Sequence, residues 1–239
     1  MKVHPIILAI ETATRAGSVA VSRDEDVLAS VGGDASVSHS TNLLEMIAGA
    51  LRDAGVTLAE VDLFAVAVGP GSFTGLRIGL ATAKAFATHL RRKVVGVSTL
   101  AAVAHAARLN GNIVTLLTAG RGEVFAQRFG VSEGVVTAGD EPQHLSPLAV
   151  IEKYAEVETL SFAGEGVRML KEASTNGNSF SIASDSSMLA PSIAVLGFRE
   201  YQEGKSVGAE NLHAVYVRAS DAEINERWQQ QKAQQPASK

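Results

Sequence analysis

Residues 69 to 79 read Gly69-Pro70-Gly71-Ser72-Phe73-Thr74-Gly75-Leu76-Arg77-Ile78-Gly79, directly after the apolar run Leu63 to Val68. This pattern predicts a buried strand that empties into a glycine-rich turn and then opens a helix. Gly69, Gly71 and Gly75 suit positive φ or a close backbone approach that a side chain would block. Pro70 fixes φ and removes a donor from the turn. Ser72 or Thr74 can cap the helix that follows. Free amides at a helix start attract anions, so the first chemistry in view is anion binding. The common phosphate loops do not fit. A P-loop needs Gly-Lys-Ser/Thr at its end, and no lysine stands in this loop. The dinucleotide fingerprint needs glycine where Thr74 stands, and an acid about 20 residues on, where His89 and Leu90 stand. A nucleophile elbow needs glycine two residues either side of its serine; around Ser72 those positions are Pro70 and Thr74. The plainer reading is a tight strand-to-helix turn.

The remaining candidates for chemistry are few. His39 has Leu43 one helical turn on, not a second histidine. His4, His89, His105, His144 and His213 show no metal-ligand spacing. The chain has no cysteine, which removes disulfides, thiolate metal sites and a cysteine nucleophile. A net charge of −4 argues against coating nucleic acid by charge alone. With 46% apolar residues among 239, the chain can bury a sizeable core of one or two domains. Pro5 to Ile10 is too short for a signal-peptide core, and no run reaches the roughly 18 apolar residues that span a bilayer. A cytoplasmic protein without membrane contact is the expectation.

These residues need elements to position them. Ile6 to Ile10, Gly17 to Ser22 and Val27 to Val31 read as strands. Ser38 to Ala54 has helical period, with Leu43, Leu44, Ile47 and Leu51 on one face, a cap at Ser38 or Ser40, and Gly55 at its end. After the strand Leu63 to Val68 come a helix from Thr74 to Leu90, a strand Val94 to Val97 and a helix Thr99 to Leu109. The second half repeats this order in weaker form. Strands are expected at Ile113 to Thr118, Glu123 to Phe129, Val135 to Ala138, Thr159 to Ala163 and Ser179 to Ala183. Helices are expected at Ser146 to Glu156, Val167 to Ala173 and Ser192 to Glu203. The duplication predicts two βββαβαβα domains facing a cleft, over 1–109 and 110–219, with a charged helical stretch and a frayed tail over 220–239.

The string from Gly69 to Gly79 resembles the signature of the bacterial TsaB (YeaZ) family. So do Ile7-Leu8-Ala9-Ile10-Glu11-Thr12 and His39-Ser40 with Leu43-Leu44, and, less closely, Arg121-Gly122-Glu123-Val124 and Tyr216-Val217-Arg218. The resemblance implies the duplicated actin-like (RNase H-like) α/β fold shared by actin, sugar kinases and the Hsp70 ATPase. It also implies a role. The family pairs with the related transferase TsaD and, with the small ATPase TsaE, serves formation of N6-threonylcarbamoyladenosine at position 37 of tRNAs that read codons beginning with A. The threonylcarbamoyl group arrives as threonylcarbamoyl-AMP from a separate enzyme. On this reading the chain is a non-catalytic activator that meets tRNA through the complex and pairs with itself when isolated. ATP or ADP and metal are then expected in the partner subunits, with no intrinsic cofactor here.

The resemblance also frames the alternatives, an actin-like-fold kinase or ATPase and a glycoprotease-like peptidase. Kinases and ATPases of that fold place carboxylates at the first strand ends of both halves, where they organise Mg²⁺. Here the first half offers Glu11, where the family usually has aspartate, and the second offers the uncharged Thr118. Such a site is half-built, and the competing reading of Glu11 is hydrogen bonding to the adjacent hairpin. TsaD binds metal through two histidines one turn apart, and Leu43 takes the second place. The candidate nucleotide-binding residues are therefore Glu11, Thr12, Ser72, Thr74, Gly164 and Gly166, with Gly69, Pro70, Gly71 and Gly75 shaping the loop. No catalytic or metal-binding residue is assigned. The candidate partner surface is Leu43, Met46, Ile47 and Ala50 with Leu80, Ala83 and Ala87, expected to include an exposed apolar patch. The helix that Leu80, Ala83 and Ala87 share with Arg77 and Lys84 is apolar round most of its circumference, which equally suits a central helix under a sheet.

Overall fold

The computed structural model describes residues 4–173, 181–182 and 188–217. The stretch expected as a C-terminal helix and tail lies outside the described residues, as does Arg218. The first half contains β1 (Ile6–Glu11), β2 (Ser18–Arg23), β3 (Asp26–Gly32), α1 (His39–Asp53), β4 (Leu63–Gly69), α2 (Phe73–Leu90), β5 (Lys93–Ser98) and α3 (Thr99–Ala106). The second half contains β6 (Gly111–Gly120), β7 (Glu123–Ser132), β8 (Val135–Ala138) and β9 (Gln143–Leu145). It continues with α4 (Pro147–Lys153), β10 (Leu160–Ala163), α5 (Val167–Ala173), β11 (Ser181–Ile182) and α6 (Ala190–Gln202). Of these strands and α-helices, only β9 has no counterpart among the elements expected from the sequence. Three residues are too few to show a period, and β9 is held by pairing to β7.

The two halves fold into sheets of one topology. The first has strand order β3-β2-β1-β4-β5 and the second β11-β10-β6-β7-β8. In each, the first strand pairs antiparallel with the second and parallel with the strand after the first helix. This is the duplicated, mixed-sheet actin-like arrangement.

Alternation along β1 separates its two faces, because successive side chains point to opposite sides. Leu8 and Ile10 join Phe64 and Val66 under α1 and α2. Ile7 and Ala9 face the other way, into a core shared with Leu100, Val103, Ile193 and Phe198. That core lies between the sheets and is built from exchanged helices. α3 follows β5 but packs on β6, β7 and β8, whereas α6 follows β11 but packs on β1, β2, β4 and β5. α6 comes so close to β4 that a Cβ on Gly197 would stand 2.6 Å from that of Ala65. On the far side of the second sheet, α4 and α5 cover Val114, Leu116 and Val124 with Val150, Tyr154 and Leu170. The layers therefore run α1/α2, first sheet, α6 and α3, second sheet, α4/α5.

Helix starts follow the sequence. Ser38 accepts from the Ser40 amide and Ser72 from the Gly75 amide, and Ser146 caps α4 ahead of Pro147. No described helix is long and apolar enough to cross a membrane.

Candidate functional site

The carboxyl ends of β1, β4 and β6 meet at a cleft of about 590 Å³. One wall is the turn from Pro70 to Gly75 with Arg15 and residues 35–39. The facing wall is Thr118 to Gly120 with Phe125 and Glu165, and Val215 to Val217 run across one end. This is where a doubly wound α/β sheet places ligands, since loops and helix starts converge at the carboxyl ends of strands.

The Gly69–Gly79 string works as a joint between β1, β4 and α2. Gly75 lies against the end of β1, and any Cβ there would run into the Thr12 carbonyl oxygen. A Cβ on Gly71 would fall 2.6 Å from the Ala13 carbonyl oxygen. The Ser72 amide donates to that Ala13 oxygen at 2.8 Å. Across the mouth, the Val215 amide donates to the Val68 carbonyl at 2.7 Å, so the 215–217 segment straps the loop where Gly69 and Pro70 begin it. Tyr216 packs on Phe73 with centroids 5.1 Å apart, and the Arg77 guanidinium lies 3.9 Å from the Phe73 centroid. The string is visible in the sequence but the strap is not, because nothing local to residues 215–217 shows what they lie against.

The six candidate nucleotide positions separate. Ser72 and Thr74 line the cleft. Glu11 and Thr12 do not line it; they are buried beneath the start of α2 and the turn after β1. Glu11 accepts from the Thr14 amide at 2.7 Å and the Thr14 hydroxyl at 2.8 Å, with the Ser18 hydroxyl 3.5 Å away. Burial pushes its carboxyl above the ordinary 4.5, and the Thr14 bonds and nearby His39 only partly offset this. Thr12 donates its hydroxyl to the Gly75 carbonyl at 2.7 Å. Gly164 and Gly166 sit behind the cleft wall against Leu116. The residue between them, Glu165, does line the cleft and accepts from the Thr118 hydroxyl at 2.5 Å. Sequence reasoning missed Glu165. Its only local signal is a charge set between two glycines after a strand.

The carboxylates are thus placed differently from the expectation. The one at the end of β1 is closed off by its own turn, while Thr118, uncharged itself, brings Glu165 to the end of β6. Arg15 gives the opposite wall a cation and bonds through Nε to the Ala35 carbonyl at 3.2 Å. His39 Nε2 donates to the Thr14 carbonyl at 2.9 Å and so fastens the start of α1 to the turn after β1. Among the described residues, no three His, Asp or Glu side chains are grouped to hold a metal ion. The arrangement can hold a polar molecule between a hydroxyl-rich wall and a carboxylate. Among the described residues, no hydrogen bond joins a histidine to the Ser72 hydroxyl, which accepts from the Gly75 amide, while His39 on the same wall bonds to the Thr14 carbonyl.

The candidate partner surface needs correction. Leu43, Met46, Ile47, Ala50, Leu80, Ala83 and Ala87 are all buried in the described chain. Their helical stripes turn onto Leu8, Ile10, Phe64 and Val66 of the first sheet, so they form its core and present no exposed patch. The outward faces carry Leu44, 61% exposed, with Ala48, Ala81 and Ala85 also exposed.

A twice-repeated α/β unit around a cleft defines a protein of the actin-like class. A family model described as TsaD, tRNA N6-adenosine threonylcarbamoyltransferase, matches residues 20–225. The chain belongs to this family, within it to the TsaB (YeaZ) proteins. It is 29% identical to the tRNA threonylcarbamoyladenosine biosynthesis protein TsaB of Escherichia coli K12, over 89% of this chain and 94% of that one. The TsaB of Buchnera aphidicola subsp. Schizaphis graminum is 30% identical, over 62% of this chain and 71% of its own. Among solved structures, YeaZ from Pseudomonas aeruginosa superposes with a TM-score of 0.78 at 28% identity, covering 89% of this chain and 99% of that one.

Proposed function

We propose that the chain serves the formation of N6-threonylcarbamoyladenosine in tRNA as the accessory partner of a TsaD-type transferase. The observation that carries this reading is the near full-length correspondence with TsaB of Escherichia coli, whose name assigns it to that modification. The site is consistent with an accessory role. Glu11 is buried and bonded to Thr14, so the first strand end offers the cleft no carboxylate for Mg²⁺. On this reading the chain pairs with a TsaD-type subunit, a TsaE-type ATPase joins them, and tRNA is met through the complex in the cytoplasm. ATP or ADP and metal belong to the partners.

The surface for the TsaD-type subunit, and for a second copy when the chain is alone, is the outward face of α1 and α2. Leu44 supplies an apolar anchor there, and Ala48, Ala81 and Ala85 permit close helix approach. Reconstitution tests the proposal. Purified chain with tRNA and threonylcarbamoyl-AMP should yield no modified nucleoside. Adding the TsaD and TsaE proteins of the same cell should yield it, and omitting this chain should abolish it. Modification without the TsaD protein, or undiminished modification without this chain, would sink the reading.

A further inference from the structure

The two halves are also fastened on the face opposite the cleft. The Arg199 guanidinium, in the last turns of α6, donates to both Glu25 oxygens at 2.8 and 2.9 Å and to the Gly134 carbonyl at 2.6 Å. Glu25 lies in the β2–β3 turn and Gly134 in the β7–β8 turn, so one side chain joins the two sheets.

The strand register shows where this joint lies. The cleft is at the carboxyl ends of β1 and β6. Arg23, beside the β2–β3 turn, pairs with Ile6 at the opposite end of β1. Val131, beside the β7–β8 turn, pairs with Gly111 at the opposite end of β6. Between cleft and joint run α3 and α6, which touch one another and hold the sheets apart, with His105 Nδ1 2.9 Å from the Ser192 hydroxyl. The α6 start is anchored at the cleft end, where the Leu189 and Ala190 amides donate to the Ser18 hydroxyl at 3.2 and 3.0 Å.

We propose that Arg199 is a clasp that limits closure of the cleft. Two rigid halves that turn about a central helix pair move oppositely at its two ends. Narrowing the cleft must part the β2–β3 and β7–β8 turns, and Arg199 holds those turns together. Isolated surface ion pairs contribute little. Here the bidentate pair with Glu25 lies within the first half, on whose sheet α6 packs, and it fixes the guanidinium in place so that its third bond crosses to the Gly134 carbonyl. The pair also holds Glu25 below, and Arg199 above, the ordinary ionisation ranges, led in each case by their mutual hydrogen bonds.

The absence of cysteine makes the test direct. Thr41→Cys on α1 and Arg168→Cys on α5, both exposed, place spin labels on the two halves. With the clasp intact, electron-electron distance measurement should give one narrow distribution. Arg199→Met should move it to shorter distances and broaden it, and Glu25→Gln should do the same to a smaller extent. If Arg199→Met fails to fold, Arg199→Lys, which keeps the charge beside Glu25 but lacks the fork that also reaches the Gly134 carbonyl, decides the question. A folded Arg199 variant whose distribution is unchanged, or moves to longer distances, overturns the proposal.

Discussion

The Thr12 hydroxyl donates to the Gly75 carbonyl oxygen at 2.7 Å, while the Thr12 carbonyl occupies the space a Gly75 side chain would need. The end of β1 and the first turn of α2 are thus locked at backbone contact. Gly75→Val should therefore destabilise strongly. Overpacking of this kind costs about 1–3 kcal/mol and more where the obstacle is backbone. Ser72→Ala removes a cap bond and should cost about 0.5–2 kcal/mol. Urea midpoints should fall further for Gly75→Val; the reverse order would overturn this account of the loop.

Ala83 and Leu44 divide the helix pair into core and surface. Ala83 is fully buried against the first sheet, so Ala83→Glu puts an unpaired charge in the core, at a cost of several kcal/mol. Circular dichroism should show loss of structure. Leu44→Asp should leave the fold intact, with a midpoint change equivalent to about 0.5 kcal/mol or less. It should weaken association with the TsaD-type subunit and with a second copy by sedimentation or light scattering. Unchanged association by folded Leu44→Asp would place the interface elsewhere.

Glu11 makes a pH prediction of definite sign. Burial first of all raises its carboxyl above 4.5 in the folded chain. A proton is then held more tightly folded than unfolded. The stability this gives is complete below the unfolded value of about 4.5 and is lost as pH rises through the folded value. Glu11→Gln removes this dependence. The stability of Glu11→Gln relative to the native chain should thus rise from about pH 4 upward and level off once native Glu11 is ionised. A difference independent of pH would show that Glu11 titrates alike in both states.

Ser18 joins the hairpin to the second half through the start of α6. Ser18→Ala leaves the Leu189 and Ala190 amides without their buried acceptor, and should cost about 1–3 kcal/mol. Hydrogen exchange at those two amides should speed up more than exchange in β4. Unaltered protection would mean another group satisfies them.

Local order is legible in the amino-acid sequence by itself. The period-2 faces of β1, the helical stripes of α1 and α2, the capping serines and the Gly69–Gly79 joint follow from steric and hydrogen-bonding rules that act within a few residues. The repeat of that order also determined the two-sheet architecture, since one pattern met twice has the same best packing twice. What the sequence left open were contacts between distant segments. An apolar stripe shows that a helix buries one face, not whether a sheet of its own chain or another molecule covers it. Leu43, Ala83 and their neighbours therefore read equally as interface and as core, and the first sheet decided for core. The exchange of α3 and α6, the strap at Val215–Val217, the closing off of Glu11 and the arrival of Glu165 beside Thr118 were likewise decided by tertiary structure. Each depends on how segments far apart in the chain come together, and that meeting is selected by the packing of whole sheets and helices, which no local pattern encodes.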